Sequence, residues 1–96
     1  MRYFHRTSLP IPDVLTAADN FFAGRLPAQA KEPRRRVFGG PMGTCSISVR
    51  ADGGHYTFIT VETDQVGESE VDKLAKRFMA SVHAQVDARH AVRGAY

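Results

Sequence analysis

The sequence predicts an α+β domain in which a small antiparallel sheet of three to four strands packs against two helices. Three observations carry that expectation. Two alternating apolar runs flank Asp52-Gly53-Gly54, and amphipathic stripes run over residues 12–23 and 69–90. The element order read from them is β-α-(β)-β-β-α, closing on a long C-terminal helix.

Each element has a local reason. Residues 2–9 carry aromatic and β-branched side chains, the composition of a short strand. Pro10 and Pro12 end it, and proline is tolerated in the first turn of a helix. Asp13 adds charge that favours a helix start. Val14, Ala18, Phe21 and Phe22 fall on one face of a first helix over 12–23, Leu15 widens the stripe, and Gly24 stops it. Residues 25–36 hold two prolines and five basic residues and read as a surface loop. Val37-Phe38 begins a short strand that Gly39-Gly40-Pro41 ends or bends.

The hairpin is the clearest local signal. Residues 44–51 and 55–63 are strand-like, and a three-residue loop pairs Ala51 with His55, Val49 with Thr57, Ile47 with Ile59 and Cys45 with Val61. That register gathers Cys45, Ile47, Val49, Ile59 and Val61 on one face. The other face carries Ser46, Ser48, Arg50, Tyr56, Phe58, Thr60 and Glu62, a half-polar surface with two large aromatics. It suits either a solvated face or an interface or pocket wall. The second helix, over 69–90, aligns Val71, Leu74, Ala75, Phe78, Met79, Val82 and Val86. Ser69 with Asp72 three residues later resembles a capping box. Residues 91–96 read as a loose tail.

Composition bounds the function. A chain of 96 residues reads as a single domain, 1–96. Its 43% apolar content suits a folded globule. One cysteine, Cys45, excludes an intrachain disulfide and fits a reducing compartment. The N-terminal stretch lacks the apolar core of a secretory signal, and no run is long enough to span a membrane. A cytoplasmic location without membrane insertion is the expectation. The net charge of +3 divides unevenly: residues 1–50 hold eight Lys/Arg and three Asp/Glu, whereas 51–96 hold five and seven. Such polarity suits self-association or a charged partner.

Catalytic and metal constellations are weak. His5, His55, His83 and His90 form no HxxxH or HExxH pair, so no metal site is expected. Cys45 points to the apolar face as a small hydrophobe. The Gly39-Gly40-Pro41-Met42-Gly43-Thr44 stretch lacks the lysine and the following helix of a phosphate loop. Glu62, Asp64, Glu68 and Glu70 cluster near a helix start, where the dipole accounts for the acidic residues of the first turn. No catalytic residue and no cofactor are expected. The run Arg34, Arg35 and Arg36, with Lys31 and Arg25 nearby, is the candidate anion-binding feature, and Tyr56 and Phe58 beside Arg50 could form a stacking platform for bases.

The opening Tyr3-Phe4-His5-Arg6-Thr7-Ser8, the proline-initiated helix, the hairpin at 44–63 and the long closing helix together resemble a shortened helix-grip domain of the START and Bet v 1-like superfamily. That resemblance implies a curved antiparallel sheet around a C-terminal helix with a cavity for hydrophobic ligands. About four strands are too few to close a full cavity within one chain, and the superfamily has no universal catalytic motif to carry over.

The first expectation for function is a small non-enzymatic interaction module or accessory subunit that self-associates. The second is a binder of a small hydrophobic ligand in a pocket lined by Tyr56, Phe58, Phe78 or Met79. The third is nucleic-acid binding through Arg34, Arg35 and Arg36.

Overall fold

The computed structural model describes residues 1–94, with side chains through Val86. Five strands and two helices follow in the order β1 (Arg2–Thr7), α1 (Ile11–Phe22), β2 (Ala28–Glu32), β3 (Arg35–Gly40), β4 (Gly43–Asp52), β5 (Tyr56–Thr63) and α2 (Glu70–Gly94). All strand pairings are antiparallel, and the strand order across the sheet is β1-β5-β4-β3-β2. Four strands form a meander, and β1 is added beside the last of them.

Strand alternation sends Cys45, Ile47, Val49, Ile59 and Val61 to one face, where all five are buried. Val14, Leu15, Ala18 and Phe22 of α1 and Val71, Leu74, Ala75, Phe78 and Val82 of α2 join them in one core. Both helices therefore cover the same side. An aromatic knot fastens them: the Phe22 ring stacks 4.5 Å from Phe38 of β3 and lies 5.7 Å from Phe78 of α2. Polar groups inside this layer are paired. Thr57 Oγ1 donates to the Leu9 carbonyl at 2.7 Å, and the Leu9 N–H donates to Thr7 Oγ1 at 3.2 Å, so the β1–α1 turn is satisfied internally.

Three expectations need correction. The 25–36 segment is not a plain loop: Ala28–Glu32 forms β2, and β3 begins at Arg35, giving five strands instead of three to four. Its sequence, Ala-Gln-Ala-Lys-Glu, has no apolar alternation because β2 is an edge strand with almost no buried residue. Lysine in the strand and prolines at both ends are the features that keep an exposed edge from pairing further. In the 44–63 hairpin the pairing is Asp52 with Tyr56, Val49 with Ile59, Ile47 with Val61 and Cys45 with Thr63. The register is thus two residues from the expected one. Gly53 takes φ +69° and opens the turn, so Asp52 completes the ladder before the chain reverses. A slip of two preserves the faces, because side chains repeat every two residues. Finally, α2 runs to Gly94, beyond residue 90, so residues 91–94 of the expected tail are helical; residues 95 and 96 lie outside the described residues.

Gly43 sits where β4 begins, at φ +137°. A Cβ there would lie 2.8 Å from Asp64 Oδ1 and 3.1 Å from Val71 Cγ1. Gly43→Ala is expected to cost about 1–3 kcal/mol through backbone strain and this collision, read as a lower Tm by thermal denaturation. An unchanged Tm would show that the site relaxes freely.

Candidate functional site

The helix-free face of the sheet is where unusual side chains gather. The same alternation that turns half-buried Tyr3 and His5 and buried Thr7 of β1 toward the helices turns Phe4 and Arg6 outward. On β5 it turns out Tyr56, Phe58, Thr60 and Glu62, and on β4 Ser46, Ser48 and Arg50. Because β1 lies beside β5, and β5 beside β4, Arg6, Phe58 and Arg50 stand directly opposite one another in a row. Phe4 and Thr60 occupy the next row.

These groups touch. The Arg6 guanidinium lies 4.0 Å from the Tyr56 ring centre and pairs with Asp52 Oδ2 at 3.2 Å. The Arg50 guanidinium lies 4.5 Å from the Phe58 ring, and Phe4 stacks on Phe58 at 5.6 Å. Arginine over an exposed ring is worth about 0.5–1 kcal/mol, so the ladder orders itself without being buried. Phe4 remains 58% exposed and Tyr56 45%. Those values matter because a phenyl ring left that open loses much of the about 1.5–3 kcal/mol that burial supplies.

The sequence-derived candidates divide. Arg50, Tyr56 and Phe58 come together on this face. Phe78 is fully buried among core residues of the opposite layer, and Met79 packs half-buried against that core. The sheet separates the two groups, so Tyr56 and Phe58 share no pocket with Phe78 and Met79. The basic run does not converge either. Arg36 turns to the helix layer and ion-pairs with Asp19 of α1 at 3.1 Å, while also donating to the Glu32 carbonyl. Arg35 pairs with Glu32 at 3.7 Å, and Arg34 occupies the β2–β3 turn. Strand alternation sends Arg35 and Arg36 to opposite faces, and Arg34 lies in the turn before the strand.

Phe4, Arg6 and Asp52 belong to the ladder and were not read as site residues. The outward alternation of β1 was present in the sequence, but its placement next to β5 is a long-range fact.

Burial pushes the Cys45 thiol up to about 12, so it stays protonated. His5 is lowered, first by burial and then by His83, whose ring stands edge-on at 6.3 Å. His55 lies in the exposed hairpin turn. The His90 side chain falls outside the described residues. No group of three His, Cys, Asp or Glu among the described residues could hold a metal. Asp64 accepts the Thr44 N–H at 2.8 Å, and that bond holds it below the usual carboxylate range. Glu62, Glu68 and Glu70 pair with Arg2, Lys76 and Lys73.

Asp72 is the one fully buried carboxylate among the described residues. Tyr3 Oη and Thr63 Oγ1 each donate to it at 2.8 Å, and the Ser69 hydroxyl donates as well. Ser69 Oγ in turn accepts the Asp72 N–H at 3.2 Å, which caps α2. Burial pushes Asp72 up, but the hydroxyls of Ser69, Tyr3 and Thr63 and the nearby terminal ammonium outweigh it, and its net shift is downward. Tyr3 is pushed up to about 12, chiefly by the hydrogen bond it gives Asp72. The cluster ties the start of α2 to β1 and β5 and so acts as a structural anchor.

Comparison with family models, curated proteins and solved structures found no match for this chain. Among the described residues no helix is long and apolar enough to cross a membrane.

A depressed folded-state pKa contributes stability that is present above the unfolded value, near pH 4, and lost as pH falls through the folded value. Acid unfolding should therefore set in below about pH 4. Asp72→Asn should lower Tm at neutral pH and flatten the Tm profile on the acid side. Circular dichroism melts between neutral and strongly acidic pH check this, and an unaltered slope in the variant would remove Asp72 from the anchor role.

Proposed function

We propose that this chain is a non-enzymatic interaction module that self-associates by stacking the open faces of two sheets. The exposed aromatic–arginine ladder of Phe4, Arg6, Arg50, Tyr56 and Phe58 carries the reading. Aromatic residues and arginine are the types enriched at interfaces, and rings that already stack in register lose little entropy on docking.

A second copy fits this face by charge. Arg2, Arg6, Arg35 and Arg50 share it with Glu32, Asp52 and Glu62. Such a near-balanced surface can match itself across a two-fold axis, since each copy offers both signs. A nucleic-acid surface instead presents one sign to the phosphates. Size is adequate too. Five strands of 5–10 residues, about 4.8 Å apart and rising about 3.3 Å per residue, give a projected area of about 550 Å². Side-chain relief brings this close to the about 800 Å² per partner of a standard interface.

Kinship with helix-grip proteins is part of the proposal. The order β1-β5-β4-β3-β2, with the first strand beside the last and a long closing helix, supports it. Fold kinship by itself assigns no activity.

Sedimentation equilibrium tests the reading. The unaltered chain should be dimeric at about 100 μM, a concentration that detects even weak association. Phe4→Glu with Tyr56→Glu replaces two exposed rings by like charges and should yield monomers with an unchanged circular dichroism spectrum. A monomeric unaltered chain, or a dimer indifferent to both substitutions, overturns the assignment.

A further inference from the structure

We propose that the recess between the C-terminal end of α1 and the β2–β3 edge of the sheet binds a small apolar molecule carrying one carboxylate. The site lies in the helix layer's rim, away from the open face, and does not depend on self-association.

Its volume is about 450 Å³, within the about 300–1,000 Å³ range of small-molecule sites. Its apolar lining comes from Ala23, Leu26, Pro27, Ala28 and Phe38. Leu26 and Phe38 are almost completely buried, so the wall is fixed by the core beneath it. The backbone around the recess is also held. Gly24 turns the chain at φ +77°, and the N–H groups of Arg25 and Leu26 both donate to the Phe22 carbonyl, at 2.9 and 3.0 Å. The Gly39 N–H donates to the Pro27 carbonyl at 3.0 Å, tying the loop to β3. A site formed before its ligand arrives spends little free energy on ordering.

Charge selects the ligand. Asp19 lines the recess, but Arg36 neutralises it. Arg25 also lines the recess and keeps its charge, but its guanidinium is held at the rim, over the Phe21 ring at 4.6 Å and donating to the Phe21 carbonyl. Lys31 also lines the recess and forms no ion pair among the described residues. An unneutralised ammonium beside an apolar wall suits a ligand with an apolar body and a single anionic end. The neighbouring recess of about 250 Å³ lacks the apolar wall, because Arg25, Glu70, Lys73 and Arg77 supply most of its lining.

The test is an NMR titration of the full chain with 2-naphthoate, using 2-naphthamide as the uncharged counterpart. Saturable shifts should be confined to the amides of Ala23, Leu26, Ala28, Lys31 and Phe38. The amide should bind about three- to fivefold more weakly, the scale of a solvent-exposed ion pair. Lys31→Met should weaken naphthoate by that factor and leave naphthamide unchanged. Ala28→Trp, at an exposed position, should fill the recess and abolish both. Spectral dispersion reports whether each variant is folded. Absence of saturation at about 10 mM, shifts centred elsewhere, or indifference to Lys31→Met overturns the proposal.

Discussion

One buried carboxylate sits where the three decisive chain segments meet. Asp72, in the first turn of α2, accepts from Tyr3 of β1, Thr63 of β5 and Ser69 at the helix cap. An unpaired buried charge costs several kcal/mol, so these donors must all be present for the charge to be tolerated. Their joint presence requires β1 beside β5 and α2 starting at the end of β5. From there α2 runs over the same face that α1 covers, because the apolar stripes of both helices have one apolar sheet face to meet.

Covering one face leaves the other to be stabilised differently. The helix layer buries Phe22, Phe78, Ile47 and Ile59 completely, each worth about 1.5–3 kcal/mol in transfer terms. Ion pairs on the open face, such as Arg2–Glu62 and Arg6–Asp52, are exposed and worth at most about 1 kcal/mol. They set the positions of the side chains more than they hold the sheet together. The outward rings of Phe4, Tyr56 and Phe58 are therefore surplus to the fold of one chain. This imbalance is the ground for the proposed self-association.

The recess at the end of α1 has a related origin. Helix α1 stops at Phe22, and the chain needs the Gly24 turn to reach the edge strand β2. The small side chains Ala23 and Ala28 and the ring of Pro27 leave the corner over Phe38 incompletely filled. Arg36 crosses that corner to Asp19, which removes one charge of each sign and leaves Lys31 and Arg25 as the local cations.

The local sequence determined the α+β class, both helices, the β4–β5 hairpin and the apolar side of the sheet. Those features rest on patterns within about 20 residues: the stripe from Val71 to Val82, the Gly53 turn, and alternation from Cys45 to Val61. It also brought Arg50, Tyr56 and Phe58 to one face, since that follows from side-chain period alone. Tertiary structure decided the rest. The polar segment Ala28–Glu32 is a strand because β3 offers it a ladder, a reason absent from its own composition. The hairpin register depended on which residue accepted the left-handed turn. Phe4 and Arg6 joined the aromatic ladder only through the pairing of β1 with β5, across more than fifty residues of chain. Phe78 left the candidate site because the helix stripe that contains it packs on the sheet face opposite Tyr56 and Phe58. Local patterning fixes which side of an element is apolar, while contacts between distant elements fix what that side meets.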